Sequence, residues 1–530
     1  MVLGVEKVNM SKIIIYDTTL RDGSQTEGVS YSVNDKVKIT HKLDDLGVHY
    51  IEGGWPGSNP KDKEFFETMK SQKLHTSRLA AFGSTRRANI KPEDDANLKE
   101  LIASQTPTVT IFGKSWDLHV TDVIRTTLEE NLKMIQESVA FLKKNKREVF
   151  YDAEHFFDGY KNNPKYALKT ILAAQAGGAD CIILCDTNGG ALPEEVAKAV
   201  KDVKKKLKKP IGIHTHNDQG LAVANSLAAI NAGCIQVQGT FNGMGERCGN
   251  ADLCTIMGIL YTKLKMKSIP DNKIKLLMDT SYYISDISNY TLANNQPFIG
   301  HSAFAHKGGV HIDAMLKNPI AYEHIEPEMV GNYRRLLTSE LAGKMPIILK
   351  AQKLNIHLDK NSPEAKEIMK ELQDKEYYGY QFEGAEASFE LFMKRRLKLY
   401  QPFYQLEGFK VFTERKTDGS VLAGATVRLK VDGHDEMATI EGHGPVEVLD
   451  RALRTALQKF YPALKDMHLS DYKVRVLDTQ EGTGARVRVI IESHDQHDSW
   501  TTVGVHENVI EASWEALVDS IEYKLLKDKK

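Results

Sequence analysis

The stretch from Ile13 to Thr240 repeats one pattern, in which a short run of β-forming residues ends in polar or glycine residues and a helical stretch follows. Eight such runs occur, at Ile13–Tyr16, Tyr50–Gly53, Arg78–Phe82, Thr108–Phe112, Glu148–Asp152, Cys181–Asp186, Ile211–Thr215 and Gln236–Thr240. Between these runs lie stretches whose apolar residues recur at the spacing of an amphipathic helix, at Val33–Leu46, Leu128–Lys144, Lys165–Ala176, Glu194–Leu207 and Leu221–Ala232. Eight strands alternating with helices predict an α/β fold, a (β/α)8 TIM barrel with its active site at the carboxyl ends of the strands.

A doubly wound parallel sheet is the alternative α/β fold. It would place a glycine-rich phosphate loop directly after the first strand, and the sequence there, TLRDGSQ (Thr19–Gln25), is not such a loop. The barrel is therefore favoured.

The length of the chain indicates how many domains it forms, and its net charge bears on which classes of partner it binds. A chain of 530 residues is too long for one core, and we expect a catalytic barrel over residues 11–270, helical linker subdomains over 271–400 and a C-terminal domain over 401–530. The formal net charge of −1 gives no reason to expect nucleic acid or an anionic membrane as partner. Five cysteines without metal-type spacing, and a start without an apolar signal segment, predict a cytoplasmic protein.

The segment IGIHTHND (Ile211–Asp218) carries two histidines at i and i+2. On an extended strand this spacing directs both imidazoles of His214 and His216 to the same face. Two neutral imidazoles side by side suit a divalent metal. The alternative is a polar strand end with two hydrogen-bonded histidines.

Further polar residues follow the other predicted strands and, by the barrel rule, face the same mouth. They are Asp17, Arg21, Asp22, Glu52, Asp152, Glu154, Asp186, Thr187, Glu246, Arg247 and Asn250. Carboxylates, imidazoles and arginines would be costly to gather there without a metal and an anionic substrate to pair with.

Three motifs carry a resemblance to a known superfamily. The sequences YDTTLRDGSQ (Tyr16–Gln25), HTHND (His214–Asp218) and GMGERCGNADL (Gly243–Leu253) resemble the DRE-type metallolyases and synthases, and more narrowly the 2-isopropylmalate, homocitrate and citramalate synthases. IEGGWPGSNPKDKEFF (Ile51–Phe66) resembles one branch of the citramalate synthases.

The resemblance implies a metal site formed by Asp22, His214, His216 and Asn250. Three or four nitrogen and oxygen ligands with open positions suit Zn²⁺, Mn²⁺, Mg²⁺ or Co²⁺. On chemistry alone Asp17 competes with Asp22, whereas position in the family favours Asp22 and leaves Asp17 as a turn residue.

The resemblance also implies roles for four residues around this metal. Arg21 would stabilise the oxygen of a 2-oxo acid and the alkoxide formed from its ketone, and Glu52 would orient Arg21 unless it is a simple ion pair. Glu154 would be the base, or else a surface carboxylate beside His155. Thr187 would hold the substrate carboxylate, or else cap a helix.

The implied reaction is a metal-dependent condensation in which the enolate of acetyl-CoA attacks a 2-oxo acid and the thioester is then hydrolysed. The branch resemblance implies pyruvate as acceptor, at the first step of a threonine-independent route to isoleucine, catalysed by an acyltransferase. A 2-isopropylmalate or homocitrate synthase is the alternative, to be decided by Phe82, Phe112, Trp116 and Asp152 around the acceptor side chain. A retro-aldol lyase and a catalytically silent regulator are the other classes.

After the barrel, we expect helices at Asp271–Asn289, Met329–Leu341 and Ser362–Leu399. Between the first two lies FAHKGGVHIDAMLKNPIAYEHI (Phe304–Ile325), a region that in the family reaches over a neighbouring subunit's barrel. The resemblance implies that His311 and Tyr322 assist proton transfer, with His306 nearby; a structural role is the alternative.

The C-terminal region contains an internal repeat at an offset of 60 residues. Gly424-Ala425 matches Gly484-Ala485, and His434-Asp435 matches His494-Asp495. Each copy alternates through strands into a helix, which predicts an α+β domain of two βββα units with a binding or dimerising role. The resemblance implies a homodimer that binds isoleucine near Gly442–Pro445 and Gly504–Asn508; a scaffold that only dimerises is the alternative.

Overall fold

The computed structural model describes residues 12–336, 363–382, 385–477, 485–496 and 498–529. The chain divides into two compact units. The first comprises Met1–Phe304 and His324–Arg334, and the second Ala305–Glu323 and Arg335–Lys530.

The first unit contains a closed barrel of eight strands, each parallel to its neighbours and arranged in chain order. The strands are β1 (Ile14–Asp17), β2 (Tyr50–Gly54), β3 (Arg78–Ser84), β4 (Thr108–Lys114), β5 (Glu148–Glu154), β6 (Cys181–Asp186), β7 (Ile211–Thr215) and β8 (Gln236–Gly239). The predicted barrel is confirmed. The third to fifth strands run two residues further than predicted, because β4 and β5 keep their pairing as far as Lys114 and Glu154.

Helices connect the strands and surround the barrel. They are α1 (Val33–Leu46), α2 (Pro60–Met69), α3 (Ala96–Ala103), α4 (Leu128–Lys144), α5 (Phe156–Asn162), α6 (Pro164–Gly177), α7 (Pro193–Lys204), α8 (Ala222–Ala232), α9 (Leu253–Thr262) and α10 (Leu277–Ser288). Local sequence fixes their ends: Ser32 and Asp35 form a reciprocal capping box at the start of α1, and Gly47 ends it with a φ of 93°.

Two apolar layers hold the barrel together. A small cluster fills its interior, with Tyr16, Tyr50 and Phe150 in mutual ring contact and Ile183 beside them. A larger cluster packs the outer faces of the strands against the helices. These layers place the polar side chains of the strand ends at the barrel's carboxyl-terminal mouth.

The segments after the barrel differ from the sequence expectation in two places. The helix predicted at Asp271–Asn289 begins later, as α10, after a 3-10 turn at Ile274–Leu276. The helix predicted at Met329–Leu341 is wrong over its described part. Pro327–Val330 is a single 3-10 turn that Gly331 ends with a φ of 80°, and residues 337–341 lie outside the described residues.

The second unit holds a two-stranded parallel sheet of β9 (Ala305–His306) and β10 (Arg335–Leu336), and the helix α11 (Gly309–Lys317). The predicted helical stretch from Ser362 to Leu399 forms two helices, α12 (Pro363–Tyr378) and α13 (Glu386–Arg396). They are separated at Gly379, whose φ is 117°. Ser362 itself lies outside the described residues.

Two three-stranded antiparallel sheets, each followed by a helix, complete the second unit. Their elements are β11 (Gln405–Arg415), β12 (Val421–Val431), β13 (His434–Gly442) and α14 (Pro445–Leu457), then β14 (His468–Val476), β15 (Val487–His494), β16 (Ser499–His506) and α15 (Val509–Asp528). The two βββα units predicted from the repeat are confirmed, although Gly484 lies outside the described residues. Among the helices described, none combines the length and the apolar character that crossing a membrane requires.

Candidate active site

Three buried side chains from two parts of the barrel meet at its mouth. His214 and His216 flank the end of β7, and Asp22 lies in the segment after β1. The Nε2 atoms of the two imidazoles are 3.3 Å apart, and the Nε2 of His214 is 3.5 Å from Oδ2 of Asp22. One ligand atom from each of the three residues lies within 4.8 Å of the other two, a spacing compatible with a shared divalent metal ion.

A hydrogen-bonded chain fixes the protonation of His214. The amide nitrogen of Gln238 donates to Oδ1 of Asp152 at 3.2 Å, which leaves the amide oxygen of Gln238 as an acceptor. Nδ1 of His214 lies 3.0 Å from that oxygen and carries the proton. The lone pair of the His214 imidazole therefore lies on Nε2, directed towards His216 and Asp22, as metal ligation requires.

Buried side-chain oxygens that accept no hydrogen bond show that these residues fit a metal ion. Within the described part of the chain, Asp22 Oδ2 and Asn250 Oδ1 are buried without a hydrogen-bond partner. Asn250 forms a β-bridge with His216 and donates its amide nitrogen to the carbonyl oxygen of Met244, so that its amide oxygen remains available. Unpaired buried oxygens are costly, and a cation would satisfy them.

The protonation states of the three clustered side chains also suit binding of a metal ion. Burial, reinforced by the neighbouring His214, lowers the pKa of His216 to about 4. Burial raises the pKa of Asp22, but Arg21 and the histidines outweigh it and hold that pKa below its ordinary value. At neutral pH the cluster thus offers an anionic carboxylate and neutral imidazoles.

Asp17, the competitor of Asp22 in the sequence, is engaged in a turn. Its two carboxylate oxygens accept from the backbone N–H of Thr19 at 3.0 Å and from the Thr19 hydroxyl at 2.8 Å. Burial raises the pKa of Asp17 to about 7. These contacts favour Asp22 as the ligand, in agreement with the turn role expected for Asp17.

Arg21 is held rigidly beside the cluster. Its Nε donates to Glu52 at 2.6 Å and its Nη1 to Asp22 at 2.8 Å, while the guanidinium lies 3.7 Å from the ring centre of Phe82. The other oxygen of Glu52, which is fully buried, accepts from the Tyr16 hydroxyl at 2.6 Å. Glu52 is thus both an ion-pair partner and an orienting group for Arg21.

Glu154 and Thr187 lie on neighbouring strand ends of the same mouth. Glu154 ends β5 and pairs with Lys114; 23% of its side chain is exposed, so it is not a plain surface carboxylate. The Thr187 hydroxyl oxygen accepts from the backbone N–H of His155 at 2.9 Å. The alternative that Thr187 caps a helix is wrong, because α7 begins at Pro193 with Leu192 before it.

These side chains line a cavity of about 240 Å³. Its lining is Arg21, Asp22, Gln25, Trp55, Phe82, Phe112, Asp152, Glu154, Cys185, Thr187, His214, His216, Glu246 and Arg247. Trp116, expected beside the acceptor, is outside this lining and stacks on His119 at 5.2 Å. Trp55 lines the cavity instead. Its position directly after β2 would have identified it by the rule that identified the polar residues.

The two residues expected to assist proton transfer lie in the second unit. The rings of His311 and Tyr322 stack at 4.4 Å, and His306 pairs with the buried Glu323 at 3.0 Å. The structure brings His311 and Tyr322 together with each other, and their role stays a prediction.

Comparisons with known proteins cover nearly the whole chain. Three family models match: HMGL-like over residues 12–284, homocitrate synthase post-HMGL domain-like over 298–377, and the LeuA allosteric (dimerisation) domain over 383–525. The chain is 53% identical to an (R)-citramalate synthase of Geobacter sulfurreducens, over 98% of this chain and 99% of the relative. It is 53% identical to an (R)-citramalate synthase of Aquifex aeolicus, over 98% of both chains. A 2-isopropylmalate synthase of Methanocaldococcus jannaschii is 31% identical, over 99% of this chain and 97% of the relative.

Proposed function

The chain belongs to the HMGL-like family, in its branch of (R)-citramalate synthases, and on this basis we propose that it condenses acetyl-CoA with pyruvate to give citramalate and CoA. In class terms it is an acyltransferase that converts the acyl group into an alkyl group on transfer. The observation that carries the proposal is the buried cluster of Asp22, His214 and His216, in a chain that matches these synthases over almost its full length.

A divalent metal is the cofactor of this proposal. Asp22, His214, His216 and Asn250 would hold it, and the donor set accepts Zn²⁺, Mn²⁺, Mg²⁺ or Co²⁺. When bound, the metal supplies Lewis-acid polarisation of the keto group of the 2-oxo acid.

Arg21 and Thr187 position the acceptor. The fixed guanidinium of Arg21 donates to the keto oxygen and stabilises the negative charge that develops on it, without having to reorganise. The Thr187 hydroxyl already accepts from the His155 N–H, so its own proton is free to donate to the substrate carboxylate. Asp152, which lines the cavity, accepts from the amide nitrogen of Gln238 and so fixes the tautomer of His214 through it.

Glu154 is the base in this proposal. Its carboxylate, held by Lys114, lines the cavity, where it can remove a proton from the methyl group of acetyl-CoA. The enolate then attacks the keto carbon. His311 and Tyr322 assist proton transfer, and water hydrolyses the thioester to release CoA.

The test of the reaction is identification of its product. The metal-loaded full chain receives acetyl-CoA and uniformly ¹³C-labelled pyruvate, and the mixture is analysed by chiral chromatography with mass spectrometry. We expect labelled citramalate in equal amount to the CoA released. CoA release without citramalate, or no consumption of pyruvate, would refute the proposal.

The second unit serves regulation and dimerisation in this proposal, supported by the match to the LeuA allosteric (dimerisation) domain. We propose that the chain forms a homodimer and binds isoleucine at the segments before α14 and α15, where helix N-termini favour a carboxylate. In the first segment, Glu447 already accepts from the backbone N–H groups of His443 and Gly444. In the second, Gly504 lies within β16, so only Glu507 and Asn508 form a loop.

Two measurements test these roles. Light scattering coupled to gel filtration gives the mass, and a monomer would contradict the dimer. Citramalate formation with and without isoleucine tests the effector, with leucine as the control. We expect isoleucine alone to inhibit, and equal effects of both amino acids would contradict the assignment. We place the enzyme in the cytoplasm, which suits its five free thiols.

A further inference from the structure

We propose that Trp55 sets the size of the 2-oxo acid that this chain accepts, by closing the aromatic side of the cavity. This inference rests on the proposed function. It concerns a residue that contacts the acceptor's side chain and takes no part in the bond-forming steps.

The cavity has a polar side and an aromatic side. Thr187, His214, His216 and Arg247 come from the ends of β6, β7 and β8, whereas Trp55, Phe82 and Phe112 come from the ends of β2, β3 and β4. In a closed eight-stranded barrel these two groups of strands lie opposite each other. A 2-oxo acid whose carboxylate and keto groups engage the polar side must direct its side chain towards the aromatic side.

The aromatic side is a packed cluster rather than a flexible surface. The rings of Phe82 and Phe112 stack at 5.5 Å and 20°. The plane of the Trp55 ring is nearly perpendicular to both, at 5.8 Å and 84° to Phe82 and at 5.6 Å and 83° to Phe112. Edge-to-face contacts at these distances are favourable, so that none of the three rings moves without loss. Arg21, which lies over Phe82, links this cluster to the keto group.

Trp55 is also anchored from outside the cavity. Its indole N–H donates to the amide oxygen of Asn97 at 2.7 Å, and the amide nitrogen of Asn97 donates to the carbonyl oxygen of Ser84 at 2.7 Å. Its backbone N–H donates to Asp62 at 2.8 Å. The preceding Gly54 has a φ of 146°, and a Cβ there would meet the Asp62 carboxyl group at 2.5 Å. These contacts hold the indole in one position, in T-shaped contact with the two phenylalanines.

A rigid aromatic side of the cavity discriminates between 2-oxo acids by the size of their side chains. A well-packed apolar pocket changes the preference between substrates that differ by one methylene by about 10- to 200-fold. Pyruvate, 2-oxobutyrate and 2-oxoisovalerate form such a series. With Trp55 in place the methyl group of pyruvate fits best, and a smaller residue at position 55 opens space for the longer acids.

The experiment compares Trp55→Leu with Trp116→Leu in the metal-loaded full chain. Trp116 is the matched control, because it is the same residue type at the same mouth but outside the cavity lining. The measured quantity is kcat/KM for each of the three acids. We expect Trp55→Leu to raise the ratio for 2-oxobutyrate over pyruvate by at least about 10-fold, Trp55→Phe to raise it less, and Trp116→Leu to leave it unchanged.

Two results would overturn the inference: an unchanged ratio in Trp55→Leu, or an equal shift in Trp116→Leu. If Trp55→Leu does not fold, Asn97→Ala replaces it. This variant removes the anchor of the indole from outside the cavity and should shift the ratio in the same direction; no shift would again overturn the inference. A wild-type chain that releases no CoA with any acid would refute the proposed function itself, which is a distinct outcome.

Discussion

The hydrogen bond between Gln238 and His214 offers a direct test of the metal site, through the variant Gln238→Leu. In the wild-type chain this bond keeps the proton of His214 on Nδ1 and the lone pair on Nε2. Leucine removes the acceptor and leaves a buried imidazole N–H without a partner. It also removes the donor to Asp152, so that the tautomer of His214 is no longer fixed.

The expected effect is a loss of metal affinity. Losing the group that orients a metal-bound histidine typically weakens binding about 10- to 100-fold. At about 1.4 kcal/mol for each factor of ten, this is about 1.4 to 2.8 kcal/mol. The unsatisfied N–H adds a cost of about 1 to 3 kcal/mol to the free energy of folding. Both terms arise from one side chain that is fully buried in β8.

The assay is competition for Zn²⁺ or Co²⁺ against a chromophoric chelator, with the full chain and without substrates. The matched control is Gln236→Leu, two residues earlier on the same face of β8. Both polar atoms of the buried Gln236 side chain have no hydrogen-bond partner within the described residues. We expect Gln236→Leu to keep the wild-type affinity within about twofold, as for a change away from the ligands. Equal affinities of Gln238→Leu and the wild type, with both folded, would refute the reasoning.

Three further predictions concern single side chains. His214→Ala should abolish citramalate formation while far-ultraviolet circular dichroism stays unchanged; retained turnover would exclude the proposed metal site. Glu154→Gln should lower kcat by about 10²- to 10⁴-fold, the usual contribution of a general base, with little effect on the KM for pyruvate; a full-rate variant would remove Glu154 from that role. Because burial raises the pKa of Asp17 from 3.8 to about 7, the folded state favours the protonated form. That contribution to stability is present below pH 3.8 and lost as the pH rises through about 7, so over this window the wild type should lose stability relative to Asp17→Asn. Urea unfolding at several pH values measures this, and equal slopes in the two proteins would contradict it.

The barrel was predictable because its strands and helices carry independent local signals. β6 and β7 match their predicted bounds, and so do α1 and α4, because each is delimited by residues such as Gly47 or Pro210 whose backbone preferences are strong. The helix predicted at Met329–Leu341 failed for the opposite reason. Its apolar spacing suits a helix, but Gly331 adopts a left-handed conformation that local spacing does not reveal.

The candidate site was partly predictable. Position at a strand end brings Asp22, His214 and Asn250 to the mouth, because carboxyl ends of parallel strands share one face. The contacts among side chains needed coordinates. The sequence does not reveal that Gln238 links His214 to a carboxylate, or that Trp116 lies outside the cavity lining. Both features depend on tertiary packing rather than on local sequence.

The most direct test of the central claim is the rate of CoA release, followed with a thiol reagent, from the metal-loaded chain with acetyl-CoA and each of four acids. The acids are pyruvate, 2-oxobutyrate, 2-oxoisovalerate and 2-oxoglutarate. The account predicts that kcat/KM is highest for pyruvate, by at least about tenfold per added methylene, and that chelation of the metal abolishes release with every acid. A higher kcat/KM for 2-oxoisovalerate, or release that survives metal removal, would contradict it.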